Sequence, residues 1–212
     1  MSTEMLTKNE RPMLQAHWDK AYADRGAAGV SWYEPTARVS LEIVSALNVS
    51  LDAGLIDVGG GTSSLAAELI AKGYTDVSVL DISEIALREA HDRTGSAVAW
   101  LRADVRGWKP ERRYALWHDR AVLHFFTDEH DRQGYLRALH SAVAPGGFVV
   151  LGVFARNGPE RCSGLRVERY GADDLARLLG DRFRPCIEHD DVHLTPTGAR
   201  QPFTWVAFER VL

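Results

Sequence analysis

The sequence predicts an α/β fold built on one doubly wound, mostly parallel sheet with helices on both faces. Three observations predict it. From residue 55 onward, short apolar strands alternate with stretches of helical periodicity. A glycine-rich turn, GGGTSS at 59–64, joins the first of those strands to a helix. The next two strands run out into acids, Asp81 and Asp104, on the edge of the sheet where that turn also lies.

The elements follow in order. Residues 1–10 are polar and read as a flexible N-terminus. Leu14, Trp18 and Tyr22 recur every four residues, which predicts a helix over 11–25. GAAG at 26–29 breaks it, and the helical spacing of Val39, Ile43 and Leu47 resumes over 36–47. Together, 11–47 form a helical cap ahead of the core at 55–154. In that core LIDV (55–58) is a strand, SLAAELIAKG (64–73) a helix stopped by glycine, and VSVL (77–80) a second strand. SEIALREAHDR (83–93) is a helix with Ser83 as N-cap. VAWL (98–101) and YALWH (114–118) are strands. A helix spans 128–144, PGG (145–147) is a turn, and FVVLGVF (148–154) is the most apolar strand. The remainder, 155–212, holds a charged loop at 158–170 and a helix at 173–180. Its last two strand candidates, 184–190 and 203–210, have no helix between them and predict a hairpin at one sheet edge. One domain covers 11–212.

Composition narrows the function. The chain has 212 residues, 45% hydrophobic and 25% charged, with a net charge of −4. That balance disfavours nucleic acid as a partner, since phosphate neutralisation needs a basic face. No apolar run reaches bilayer-spanning length, so no membrane partner is expected. The opening MSTEMLTKNERP lacks the apolar core of a signal peptide, and Cys162 and Cys186 are the only cysteines. A reduced cytoplasmic setting is expected.

The glycine turn carries the chemistry. Gly59, Gly60 and Gly61 let the backbone approach a ligand at a helix N-terminus. Asp81 follows Gly61 by twenty positions, where a carboxylate can accept from ribose hydroxyls. The third glycine of the dinucleotide fingerprint is replaced by Ser64. The turn carries Asp57 and no basic residue, which suits a cationic or zwitterionic ligand better than a pyrophosphate. S-adenosylmethionine, with a sulfonium, an ammonium and a ribose, has that character.

IDVGGGTS, VLDIS, RADV, HDRAVLHFF and LHSAVAPGGFVVLGVF stand in an order and spacing that resembles the class I S-adenosylmethionine-dependent methyltransferases. The resemblance covers roughly residues 50–155. It implies a Rossmann-like sheet of seven strands with the last reversed. It also implies roles. Asp57, Gly59, Gly60 and Gly61 would flank the methionine part of S-adenosylmethionine, and Asp81 would bind its ribose. Ile82 would pack on the adenine, with Asp104 and Val105 at its far edge. WDKAY (18–22), SWYE (31–34) and LWHDRAVL (116–123) resemble the thiopurine and thiol S-methyltransferase branch, with some likeness to small lysine methyltransferases. By that resemblance His118, Asp119 and Arg120 form the catalytic floor, Arg120 binding an anionic group of substrate or cofactor. Ala121 stands where that branch often has glycine.

The substrate side is read from the residues. A thiol nucleophile needs deprotonation, so His118 and His124 are candidate bases, with Asp119 able to set the charge of His118. His124 sits on an apolar segment that favours a packed ring over a base. Trp18 and Tyr22 read as the buried stripe of the first helix. Trp32 and Tyr33, in a loop, can contact cofactor and substrate. Cys162 lies close in sequence to Arg161 and Arg166, which would favour a thiolate, although a passive loop cysteine is the favoured reading. His193 and Gln201 can close the pocket from the hairpin. HDDVH (189–193) spaces two histidines four apart, but in a strand-like stretch, so no metal is expected.

The expected activity is methyl transfer from S-adenosylmethionine, leaving S-adenosylhomocysteine, to a small-molecule acceptor at sulfur or another soft heteroatom. A protein lysine acceptor, a nicotinamide-dependent oxidoreductase and a non-catalytic cofactor-binding module are the alternatives. Monomer and homodimer both remain open.

Overall fold

The computed structural model describes residues 10–211. The expected flexible segment therefore lies, except for Glu10, outside the described residues. Helix α1 (Glu10–Gly29) has a break in helical geometry at Gly26, where φ is 63°. Helix α2 spans Arg38–Ala46. The core then alternates through β1 (Leu55–Val58), α3 (Leu65–Ala71), β2 (Val77–Asp81), α4 (Glu84–Thr94) and β3 (Val98–Arg102). It continues with β4 (Tyr114–Arg120), α5 (Glu129–Ala142) and β5 (Val143–Phe154). A two-stranded hairpin, β6 (Arg161–Cys162) and β7 (Leu165–Arg166), is followed by α6 (Ala172–Leu179), β8 (Phe183–Leu194) and β9 (Arg200–Arg210).

The large sheet has seven strands in the order β3-β2-β1-β4-β5-β9-β8. β3, β2, β1, β4 and β5 pair in parallel, and β9 runs antiparallel to both its neighbours. The expected sheet and its edge hairpin are both present. β1 and β2 are buried along their whole length, which explains their largely apolar composition, with Asp57, Ser78 and Asp81 as the buried polar exceptions. The expected N-cap of α4 is present, and α5 has one as well. Ser83 Oγ accepts from Ala86 N at 3.2 Å, and Asp128 Oδ1 accepts from Asp131 N at 2.9 Å.

Two apolar layers sandwich the sheet. One packs Trp117, Leu151 and Phe208 of the strands against Tyr135 and Leu139 of α5. The other packs Leu55, Val79 and Trp205 against Leu65 and Leu69 of α3 and Val44 of α2. Helix α1 is tied to α4 through Asp19, whose Oδ1 accepts from the Ser83 hydroxyl at 2.6 Å.

Three boundaries differ from expectation. β4 runs past His118 through Asp119 and Arg120, because these polar side chains find partners inside the fold rather than marking the strand's exit. Residues 145–147 are not a turn. β5 begins at Val143 and carries them as an irregularity, with Tyr114 opposite Val143 but Leu116 opposite Phe148. The loop at 158–170 contains the small β6–β7 hairpin.

The sheet's interior polar contact joins β4 to α5. Trp117 Nε1 donates to Tyr135 Oη at 3.1 Å, and the Tyr135 hydroxyl donates to Asp119 Oδ2 at 2.6 Å. All three side chains are buried. Tyr135→Phe leaves the indole N–H without its acceptor and Asp119 without one donor. We expect a stability loss of about 1–3 kcal/mol, read by urea unfolding.

Candidate active site

β1 and β4 are adjacent, yet the chain leaves them toward opposite edges of the sheet. Their carboxyl ends open the crevice where ligands of such sheets bind. A cleft open to solvent and lined mostly by apolar surface lies there. Gly59, Asp81, Ile82, Asp104 and Val105 line one side. Trp18, Tyr22 and Trp32 line another, with Arg120, Phe125 and Cys162. A smaller polar cavity adjoins it, lined by Tyr33, Glu34, Ser40, Asp57, Gly60 and His118. Gly59, Trp32 and Arg120 border both.

The turn after β1 needs its glycines. Gly59 has φ 67° and Gly61 φ 47°, a region L side chains rarely enter. A Cβ on Gly59 would collide with Val122, one on Gly61 with the Tyr22 hydroxyl, and one on Gly60 would lie 2.5 Å from Asp57 Oδ2. Asp81 closes β2 with its carboxylate in the cavity wall, accepting from Ser83 N at 2.8 Å. Burial pushes its pKa up to about 6, against the pull of backbone N–H groups at 83, 61 and 82. The carboxylate of Asp104 is gripped by Arg106, whose Nη2 lies 2.7 Å from Oδ2. Arg106 also pairs with Asp131.

β4 distributes its polar triplet to different surroundings. His118 is 3% exposed and faces Asp57 and Ser40, with Nδ1 2.7 Å from Asp57 Oδ1 and Nε2 2.9 Å from Ser40 Oγ. Neither ring nitrogen is left open as the expected base. Asp119 does not reach either cavity and does not face His118. It is fully buried and accepts from Val122 N at 2.8 Å and Leu123 N at 3.0 Å, besides Tyr135. Successive strand residues point to opposite faces, so Asp119 is a turn anchor rather than a catalytic group. Ala121 follows at φ 69°, which accounts for the preference for glycine at such a position.

Arg120 lies between the two cavities. Its Nη1 donates to the Trp32 carbonyl at 2.8 Å, and its guanidinium sits 5.3 Å from the Phe203 ring centre. Nη2 is 2.8 Å from Glu34 Oε1, an ion pair, although neither Nη2 nor Nε has an aligned hydrogen-bond acceptor. Desolvation lowers the Arg120 pKa, with Glu34 opposing. Glu34 in turn meets His193, whose Nδ1 lies at 3.3 Å and whose Nε2 donates to Ser31 O at 2.8 Å. Burial raises the Glu34 pKa, but the His193 contact and then Arg120 outweigh it, and the net shift is downward.

Other expectations need correction. His124 is a core ring, 0% exposed, against Phe125 and Phe154, and does not line either cavity. Burial, then Arg120, lowers its pKa to about 3. Cys162 does line the larger cavity, but burial pushes its thiol up to about 11 rather than favouring a thiolate. Arg161, expected to activate it, instead donates to Gly164 O at 2.9 Å. His193 and Gln201 are buried and paired across β8 and β9, outside both cavity walls. Asp190 and Asp191 are bonded to Thr204 and Arg38, so the acids between the two histidines are already partnered. Trp18 and Tyr22 form the expected stripe of α1, Tyr22 buried, and also line the cavity.

Ser40 and Glu34 were not legible as site residues. Ser40 has no distinguishing pattern in its helix. Glu34 had one signal, its place beside Trp32 and Tyr33 in SWYE.

Residues 55–147 match the model of a methyltransferase domain family. The seven-stranded sheet has the Rossmann-like fold of solved methyltransferases. The chain is 26% identical over 135 residues to the eEF1A lysine and N-terminal methyltransferase of Mus musculus, covering 60% of this chain and 19% of that protein. It is 28% identical over 139 residues to trans-aconitate 2-methyltransferase of Pseudomonas aeruginosa, covering 65% and 47%. The chain spans less than half the length of the curated relatives it matches. Among solved structures, 1,6-didemethyltoxoflavin-N1-methyltransferase of Burkholderia thailandensis superposes with a TM-score of 0.74 at 19% identity, covering 100% of this chain and 94% of that one. That structure holds 1,6-didemethyltoxoflavin and S-adenosylhomocysteine.

The residues lining the crevice fit S-adenosylmethionine. The glycine turn is a cradle that any Cβ would fill, Asp81 offers a ribose acceptor, and Ile82 and Val105 offer apolar walls for a base.

The burial of His124 yields a direct prediction. Its ring should stay neutral down to about pH 4, below which protonation toward its pKa of about 3 begins. An NMR titration of labelled histidine checks this. A His124 signal titrating near 6.5 contradicts the buried placement.

Proposed function

We propose that the chain is an S-adenosylmethionine-dependent methyltransferase acting on a small molecule. One observation carries the reading: Gly59 of the glycine turn and Asp81 line a single cavity together with Trp18, Tyr22 and Trp32. S-adenosylmethionine supplies, when bound, a methyl group on a positively charged sulfur. Asp81 holds the ribose hydroxyls, and the glycine turn presents backbone N–H groups to the methionine end. The aromatic roof excludes water and offers π faces to a cation.

The acceptor side supports a soft nucleophile. His118 is the one imidazole among the described cavity-lining residues, and both its nitrogens are engaged. A thiol, with an ordinary pKa near 8.5, ionises partly on its own near neutral pH and asks little of a base. Enclosure by α1 and the β6–β7 hairpin favours a small acceptor over a protein side chain. The protein-lysine reading rests on the likeness to a relative named for lysine methylation.

Calorimetry with S-adenosylhomocysteine tests the cofactor reading, and a folded protein that does not bind it refutes that reading. Asp81→Asn should weaken binding by about tenfold. The wild-type affinity should fall as pH drops below about 6, because Asp81 then gains a proton and loses acceptor capacity. For the acceptor, transfer of labelled methyl groups into cell lysate should mark the small-molecule fraction. Label confined to the protein fraction would favour lysine instead.

A further inference from the structure

Three side chains from three elements form a buried line behind the glycine turn. Ser40 comes from α2, His118 from β4 and Asp57 from β1. His118 Nδ1 lies 2.7 Å from Asp57 Oδ1, and its Nε2 lies 2.9 Å from Ser40 Oγ. Ser40 is 2% exposed, His118 3% and Asp57 4%. All three line the smaller cavity with Gly60. A carboxylate only accepts, so Nδ1 donates to Asp57 and the Ser40 hydroxyl fixes the ring from its far side.

The other carboxylate oxygen of Asp57 faces the turn itself. A Cβ built on Gly60 would stand 2.5 Å from Asp57 Oδ2. Asp57 is thus held by the imidazole on one oxygen and pressed against the glycine turn with the other. Such a buried carboxylate, oriented from behind, is suited to a cationic group in front of it. We infer that Ser40 and His118 are positioning residues, which aim Asp57 at the amino-acid ammonium of the cofactor and so discriminate ligands carrying that ammonium from those lacking it. The inference rests on the proposed cofactor. Its chemistry is a binding preference, with no bond made or broken.

The test compares two ligands on the folded full chain. S-adenosylhomocysteine carries the ammonium, and 5′-methylthioadenosine keeps the adenosine and sulfur without the amino-acid end. His118→Leu should weaken S-adenosylhomocysteine by about tenfold and leave 5′-methylthioadenosine within about twofold. His118→Asn, whose amide nitrogen can replace Nδ1 as donor, should recover most of the loss. Ser40→Ala, a smaller change that preserves packing, should shift the same ligand the same way by about threefold. An equal loss for both ligands, or no loss for either, overturns the inference. A wild-type protein that binds neither ligand instead refutes the cofactor reading itself, so the two failures are told apart in the unmutated chain.

Discussion

The site depends on how one carboxylate is spent. Asp119 is the middle of three consecutive polar residues in a buried strand, and its side chain points away from the cavity. It accepts from two backbone N–H groups of the following turn and from the Tyr135 hydroxyl. Those bonds hold the chain through Ala121, whose left-handed backbone is costly for any residue but glycine. Holding that turn puts Val122 against Gly59, and it leaves Arg120 and Cys162 facing the same space. Desolvation raises the Asp119 pKa to about 6, while its hydrogen-bond donors and His118 draw it back toward ionisation. A costly burial is tolerated because the satisfied carboxylate fixes a backbone that would otherwise relax.

Much of the scaffold was legible in the sequence. LIDV, VSVL and VAWL announce parallel strands because their runs are short, apolar and closed by acids or glycine. The positive φ values at Gly59 and Gly61 are what a turn of consecutive glycines suggests. The substrate side was less legible for a physical reason: its residues meet across long sequence separations. Glu34 touches Arg120 and His193, and Ser40 touches His118, through packing that no local period encodes. Histidine identity was also misleading. His118, His124 and His193 share a side chain, yet one is hydrogen-bonded at a cavity wall, one lies in the core and one braces a carboxylate.

Helix α1 ties the two halves of this picture together. Asp19 holds the cap of α4, while Trp18 and Tyr22 of the same helix roof the cavity, and Trp32 donates to the Tyr22 hydroxyl at 3.3 Å. The roof is therefore anchored at the start of the helix that follows Asp81. A change in how α1 sits would reach Asp81 and the aromatic wall at once, so closure of the cavity and the geometry of its ribose-side acid are mechanically linked.

The ion pair between Arg120 and Glu34 has an electrical consequence. Because the two charges already cancel inside the wall, the region between the cavities is close to neutral before any acceptor arrives. An uncharged acceptor can enter without disturbing that balance. An anionic one adds an uncompensated negative charge unless it takes the place of Glu34, and it must then compete with a carboxylate tethered in position at high local concentration. On the proposed function, the pair favours acceptors that reach the cavity uncharged, as a thiol does in its protonated form.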